Sequence, residues 1–264
     1  MSYTLKLSAG ELSRYRLMAE YARDTETADW TAAGIGSGAR VADVGCGPGA
    51  MLRVLAAIVG PTGAAHGVDQ DPDAVAAAGE AVAGLGHASA RAGSAAASGL
   101  EPGSYDSVMC RHVLGHNGGA ELEIVSHLAA LARPGGTVVL VDVDGTATRM
   151  HPDDPDLADL TDRYLAFHRA RGNHLLAGVQ LGWLLEQVGL AVEMFRHIGP
   201  LMRIPPGLRP AGWAARDALV EAEFAAAEDL LRWERAFARL DLVTPRPWGH
   251  VAGFLAVGRR PDAS

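Results

Sequence analysis

The segment Val41-Ala-Asp-Val-Gly-Cys-Gly-Pro-Gly49 places one acid, Asp43, at the end of an apolar run, followed by three glycines in five residues. Glycines at 45, 47 and 49 permit positive φ and let a backbone approach a ligand with no Cβ in the way. Met51, Leu52, Leu55 and Ile58 then supply the apolar face of a helix. A second acid, Asp69, closes the run 65–69, and the two oxygens of a carboxylate suit a diol such as a ribose. His112 and His116, four residues apart, follow a third apolar run at 105–110, with Arg111 beside them. A histidine of ordinary pKa near 6.5 can take the proton that a phenol or hydroxyl acceptor must lose.

The glycine spacing also satisfies the dinucleotide pattern G-x-G-x-x-G/A through Gly45, Gly47 and Ala50, with Asp69 at a suitable interval. Asp43 decides between the two ligands. At about 5 Å and an effective dielectric near 20, its charge is worth roughly 3 kcal/mol against a phosphate and the same amount in favour of an ammonium. S-adenosylmethionine carries an ammonium and no phosphate, so the turn suits that cofactor. A nicotinamide-dependent oxidoreductase is the alternative left by the glycines alone.

These positions require a scaffold of alternating strands and helices, which the pattern supplies. Strands are expected at 40–44, 65–69, 88–92, 105–110, 137–143 and 191–198, and a last one over 250–257. Helices are expected at 8–23, 27–34, after Pro72 to about residue 84, at 118–132, 156–170 and 177–188, and through much of 206–240. Arg133-Pro-Gly-Gly136 reads as the turn that delivers the fifth strand. Beyond Gly145 the alternation breaks, so 146–240 reads as helical elaboration around the sixth strand.

Four ordered segments carry a resemblance: VADVGCGPG at 41–49, GVDQD at 67–71, YDSVMCRHVLGH at 105–116 and LARPGGTVVLVDVD at 131–144. Over about residues 38–145 the chain resembles the class I S-adenosylmethionine-dependent methyltransferases, and within them the ubiquinone/menaquinone-biosynthesis type. The resemblance implies an α/β, doubly wound, Rossmann-like sheet of seven mostly parallel strands, the last antiparallel beside the sixth. It implies one domain, with an N-terminal helical segment (1–38), a cofactor core (39–145), an acceptor-binding elaboration (146–240), and the last strand and tail (241–264).

On that resemblance the cofactor is held by Asp43, Gly45, Cys46, Gly47, Asp69, Gln70 and Arg111, with Tyr21 or Tyr15 of the N-terminal helix closing over its carboxylate. Where the family shows Gly-Asp-Ala after the third strand, this chain has Gly93-Ser94-Ala95; a serine is shorter and neutral, so adenine recognition shifts toward backbone groups. His116 and His174 are the candidate catalytic bases. His112 and His116 have metal-ligand spacing, but no third ligand lies near in sequence, so no metal is expected. The expected reaction moves a methyl from S-adenosylmethionine to an O, N or C nucleophile of a hydrophobic small molecule, a secondary metabolite, and leaves S-adenosylhomocysteine. A cyclase that keeps the cofactor without transferring its methyl is the other reading. Trp183, Phe195, Met202, Trp213 and Phe224 are candidates to line an apolar acceptor pocket.

A net charge of −8 with scattered arginines argues against a nucleic-acid partner. No run approaches the ~18 apolar residues of a membrane span, and the N-terminus lacks an apolar signal core, so the expectation is a cytoplasmic protein without a membrane partner, monomeric or homodimeric. The only two cysteines, Cys46 and Cys110, read as reduced packing residues.

Overall fold

A computed structural model describes residues 9–173 and 175–262. Its central sheet has seven strands in the order β3-β2-β1-β4-β5-β10-β7: β1 (Arg40–Val44), β2 (Ala64–Asp69), β3 (Ala88–Ala92), β4 (Tyr105–Arg111), β5 (Ala132–Val143), β7 (Ala191–His197) and β10 (Gly253–Arg259). β1 to β5 pair in parallel, and β10 runs antiparallel between β5 and β7. The expected last strand begins three residues later than its pattern suggested, because Trp248–His250 is claimed by a separate strand, β9.

Alternation along the strands gives the sheet two apolar faces. Ala42, Val44, Val108, Cys110, Val138 and Leu140 face α4 (Glu121–Leu131) and α6 (Ala177–Gln187). Val41, Met109, Val139, Val141 and Leu255 face α1 (Ala9–Ala32), α2 (Ala50–Val59) and α3 (Pro72–Ala81). Strand order reverses between β1 and β4, so the carboxyl ends of β1, β2 and β4 border the crevice where open α/β sheets bind ligands.

Four boundaries differ from expectation for identifiable reasons. The two N-terminal helices are one, α1. Its polar middle needs no turn, because Thr25, Thr27 and Thr31 bond back to carbonyls four residues earlier, and Glu26 and Asp29 meet arginines of the sheet. Arg133-Pro-Gly-Gly136 is an excursion within β5: Ala132 lies opposite Tyr105 and Thr137 opposite Ser107. α4 begins at Glu121, after Gly119 at φ +86°. The helical stretch at 206–240 is broken into α7 (Ala211–Ala214), α8 (Arg216–Glu221) and α9 (Ala227–Leu242). Glu223 adopts φ +61°, and Ala226 N–H donates to Asp229 Oδ2 at 2.9 Å to open α9.

Part of the chain after β5 forms a cap with its own core. Leu157, Leu160 and Phe167 of α5 (Pro155–Ala170) pack on Leu219, Trp233, Ala236 and Phe237. A three-stranded antiparallel sheet that the sequence patterns did not announce, in the order β6 (Arg149–His151), β9, β8 (Leu201–Arg203), completes the cap. No helix among the described residues is long and apolar enough to cross a membrane.

Candidate active site

Each glycine of the 45–49 turn answers a different demand. Gly45 has φ +79°, and a Cβ there would fall 2.2 Å from Val113 Cγ2. Gly49, at φ +81°, caps α2 where a Cβ would meet Ala78 Cα at 2.7 Å. Gly47, at φ +53°, has the ring edge of Tyr15 3.4 Å from where a Cβ would be, so α1 lies over the turn at this point.

The backbone donors of this turn are already engaged. Gly45 and Cys46 N–H both donate to Val68 O (2.8 and 3.0 Å), Gly47 N–H donates to Asp69 Oδ2 (2.8 Å), and Gly49 N–H to Cys46 O (3.1 Å). Residue 48 is a proline and has none. A pyrophosphate needs converging N–H donors at such a turn, and residues 45–49 offer it none. Asp43 points the same way. Its carboxyl is 2% exposed, Oδ2 has no hydrogen-bond partner, and burial raises its pKa to about 7 despite the lowering field of Arg111, with Asp69 adding to the rise. An orphaned, buried carboxylate oxygen costs free energy until a cation reaches it; the ammonium of a methionine-type ligand is such a cation.

Asp69 ends β2. Its Oδ1 accepts from Asp71 N–H (3.0 Å) and its Oδ2 from Gly47 N–H, which fixes the carboxylate and leaves each oxygen a lone pair for a ribose hydroxyl. Gln70, next in line, is exposed. Gly93 N–H donates to Asp69 O (3.0 Å), and a Cβ at Gly93 would lie 2.7 Å from Ser98 O. Ser94 Oγ accepts from Ala97 N–H (3.0 Å), so this serine is spent on its own turn, while Ala95 packs against the apolar core. Cys46 turns its thiol into the interior, 2.9 Å from where a Gly67 Cβ would be, and burial raises its pKa. Its part in the site is therefore confined to backbone. Cys46 and Cys110 are both free thiols and buried.

Two of the expected contact residues are placed differently from the rest. Arg111, expected to face the cofactor, turns its guanidinium to Glu26 of α1 in a buried bidentate pair (2.5 and 3.1 Å) and reaches the site only through its field on Asp43. Tyr21 is 41% exposed, and it is Tyr15, six residues earlier on α1, that meets the glycine turn. The apolar stripe also divides: Trp183 and Phe195 are 52% and 45% exposed, whereas Trp213 and Phe224 pack against the cap core.

Beside the strand ends stands a group of imidazoles. His112 follows β4 at φ +56°, its N–H bonded to Val141 O (2.8 Å), and burial with the fields of Arg111 and Arg14 lowers its pKa to about 3. His116 ends a 3₁₀ turn (Leu114–His116), and burial with Arg14 lowers it to about 4. His168 of α5, which the sequence patterns did not single out for chemistry, meets His116 edge-on (4.9 Å between centroids) and Tyr164 (4.6 Å), and burial lowers it to about 4. Burial raises the Tyr164 phenol to about 12. The loop Gly172-Asn173 comes so close to the start of α4 that a Cβ at Gly118 would overlap Gly172 O, and Asn173 Oδ1 accepts from Gly118 N–H (3.2 Å). His174, the other candidate base, lies outside the described residues. Among the described residues no three His, Cys, Asp or Glu side chains gather as a metal site.

A family model described as a methyltransferase domain matches residues 15–194, about two thirds of the chain. The chain belongs to the class I S-adenosylmethionine-dependent methyltransferases. The methyltransferase is 27% identical over 161 residues to an uncharacterised 37.1 kDa protein in transposon Tn4556 of Streptomyces fradiae, covering 61% of this chain and 46% of that protein. It thus spans about half the length of the curated relative it matches. Among solved structures it is similar to phosphoethanolamine N-methyltransferase 2 of Haemonchus contortus bound to S-adenosylhomocysteine, with TM-score 0.52, 16% identity, and coverage of 86% of this chain and 50% of that one. It is similar also to a geranyl diphosphate methyltransferase bound to S-adenosylmethionine, with TM-score 0.54, 11% identity, and coverage of 96% and 91%. At these identities the likeness is one of fold. The family fixes the cofactor as S-adenosylmethionine, and the orphaned Asp43 and the phosphate-averse turn fit it.

Proposed function

We propose that this methyltransferase acts on an apolar small molecule, a secondary metabolite, at a hydroxyl oxygen, and that His116 receives the proton the acceptor gives up. The observation that carries the reading is the group of His112, His116 and His168 beside the strand ends, each held unprotonated by burial. The cofactor supplies an electrophilic methyl on a sulfonium; the chain's own part is to hold the nucleophile in line, keep water out and take one proton. As the oxygen–carbon bond forms and the sulfur–carbon bond breaks, the acceptor oxygen becomes an oxonium, an acid far stronger than imidazolium. A base with pKa near 4 therefore suffices for the transfer. An amine acceptor is protonated at neutral pH and would need a far stronger base than His116 to free its lone pair, so oxygen is favoured over nitrogen, and a carbon acid would likewise need a stronger base. Aromatic packing behind the imidazoles, with Phe167 fully buried 5.4 Å from His168, supports an apolar acceptor.

The test is a panel of apolar phenols and alcohols incubated with methyl-labelled S-adenosylmethionine, scored for labelled product and for S-adenosylhomocysteine in equal amount. Substrate conversion without S-adenosylhomocysteine would replace methyl transfer by a cyclase-type reaction. His116→Ala should lower kcat by about 100-fold or more at neutral pH with S-adenosylhomocysteine affinity unchanged; a loss under twofold would remove His116 as the base.

A further inference from the structure

The cap carries a surface that methyl transfer does not use. In the three-stranded sheet, Arg149 pairs with His250, which pairs with Leu201, and His151 pairs with Trp248, which pairs with Arg203. Side chains two apart on a strand share a face, so these six residues form a grid of two rows by three strands. The alternate residues, Met150, Gly249 and Met202, lie on the other side, where Met150 packs on the cap core and Gly249 abuts Ile204. Five of the six are exposed, Leu201 at 69% and Trp248 at 45% with Arg149, His151 and Arg203, while His250 is half-buried with its ring stacked on His197 (5.0 Å between centroids).

Its charge is unbalanced. Arg149 donates to the carbonyls of Thr146 and Thr148, and Arg203 to that of Arg246, while its guanidinium also lies 4.4 Å from the Trp248 ring centroid. Among the described residues neither arginine has a carboxylate partner. Most of the neighbouring acids are engaged elsewhere: Asp144 holds Thr146 and Asp154 pairs with Arg239, with Asp153 the exception. A chain of net charge −8 thus presents two uncompensated guanidinium groups beside Leu201, Trp248 and the imidazoles of His151 and His250 on one face.

We propose that this face docks an acidic amphipathic helix of a partner protein. Arg149 and Arg203 stand at diagonal corners, two strands and two residues apart, which puts their Cα atoms roughly 12 Å apart. Two glutamates seven residues apart on a helix are separated by about 10.5 Å along its axis, which matches that diagonal, and the apolar residues between them would rest on Trp248 and Leu201. Nucleic acid fits less well. Two fixed positive charges neutralise few phosphates, one face of Trp248 is already covered by Arg203, and the remaining charge of the chain is repulsive. A grid of six residues is small beside the ~800 Å² per partner of a stable complex, so the contact is transient.

The experiment uses the full chain and a fluorescein-labelled helical peptide of 14 residues with glutamates seven apart and leucines between them. The controls are a peptide of the same composition with its glutamates adjacent, and a 12-nucleotide single-stranded DNA. Saturable binding is expected, weakened about tenfold or more by the double variant Arg149→Glu/Arg203→Glu and by Trp248→Ala, and falling with added salt. The regrouped peptide should bind more weakly and the DNA should not displace the first peptide. S-adenosylhomocysteine affinity, unchanged in each variant, reports that the fold is intact. No saturable binding, equal affinity in the double variant, equal binding of the regrouped peptide, or displacement by the DNA would each overturn the proposal.

Discussion

The cofactor-binding turns of the core and the arginine–aspartate network of the cap are held together by different means. In the core, backbone approaches so closely that side chains are excluded: Gly45, Gly49 and Gly93 each sit where a Cβ would come within 3 Å of a neighbouring atom. In the cap, Arg232 joins Asp156, Asp159 and Asp229, while Arg163 and Arg239 tie Asp159, Asp229 and Asp154 into the same half-exposed network around the Trp233 side. Steric exclusion tolerates no substitution and so fixes a ligand site. A half-exposed ion network tolerates many.

That contrast can be broken by glycine substitution. Gly45→Ala should abolish S-adenosylhomocysteine binding, since its Cβ would stand 2.2 Å from Val113 at φ +79°. Gly207→Ala in the cap, at φ +80° with nothing within 4 Å, should cost only about 1 kcal/mol of left-handed strain. Thermal unfolding and calorimetry of both variants check this. Similar effects at the two sites would erase the distinction.

A smaller effect separates function from stability inside the core. Holding the Asp43 carboxyl at about 7 rather than 3.8 costs the ionised native state about 4 kcal/mol relative to the unfolded chain. Because the folded pKa is the higher one, the native state binds the extra proton. The cost is absent below pH 4, grows as pH rises, and is complete above about pH 7. Asp43→Asn should therefore raise the unfolding temperature at pH 8 and leave it nearly unchanged at pH 4, while weakening S-adenosylhomocysteine by roughly 3 kcal/mol. If the variant is no more stable at pH 8, the carboxyl is not buried as described.

The smallest effect belongs to the cap. Arg232→Met removes three exposed or half-exposed ion pairs and should cost about 1 kcal/mol after solvent screening, with cofactor affinity unchanged. A loss of affinity along with stability would show that the two regions are coupled.

The same contrast decides what the sequence could reveal. Local rules wrote the core: a strand, an acid and three glycines in nine residues can be read in place, and the five parallel strands fell within a few residues of expectation apart from the excursion in β5. The cap joins partners far apart in the chain. Asp159 meets Trp233 Nε1 across 74 residues, and His168 meets His116 across α4, β5 and β6. No periodicity announces such pairs. Three-residue strands such as β6, β8 and β9 are too short for alternation to register, so the second sheet went unseen. Arg111 follows β4, a position that points to the cofactor in sequence, but its pairing with Glu26, 85 residues earlier, leaves no local trace. Tyr15 and Tyr21 look alike in sequence until the helix is placed, and it is Tyr15 that meets Gly47.

The central claim is that a buried carboxylate at the end of β1 receives the cofactor's ammonium, and calorimetry of S-adenosylhomocysteine from pH 5.5 to 8.5 tests it most directly. Below its raised pKa, Asp43 must lose a proton before it can pair, so affinity should fall by about tenfold per pH unit as pH drops below 7, with a proton released on binding. Asp43→Asn should bind weakly at every pH and release none. Affinity that is flat across this range, or equal in the variant, would contradict the account.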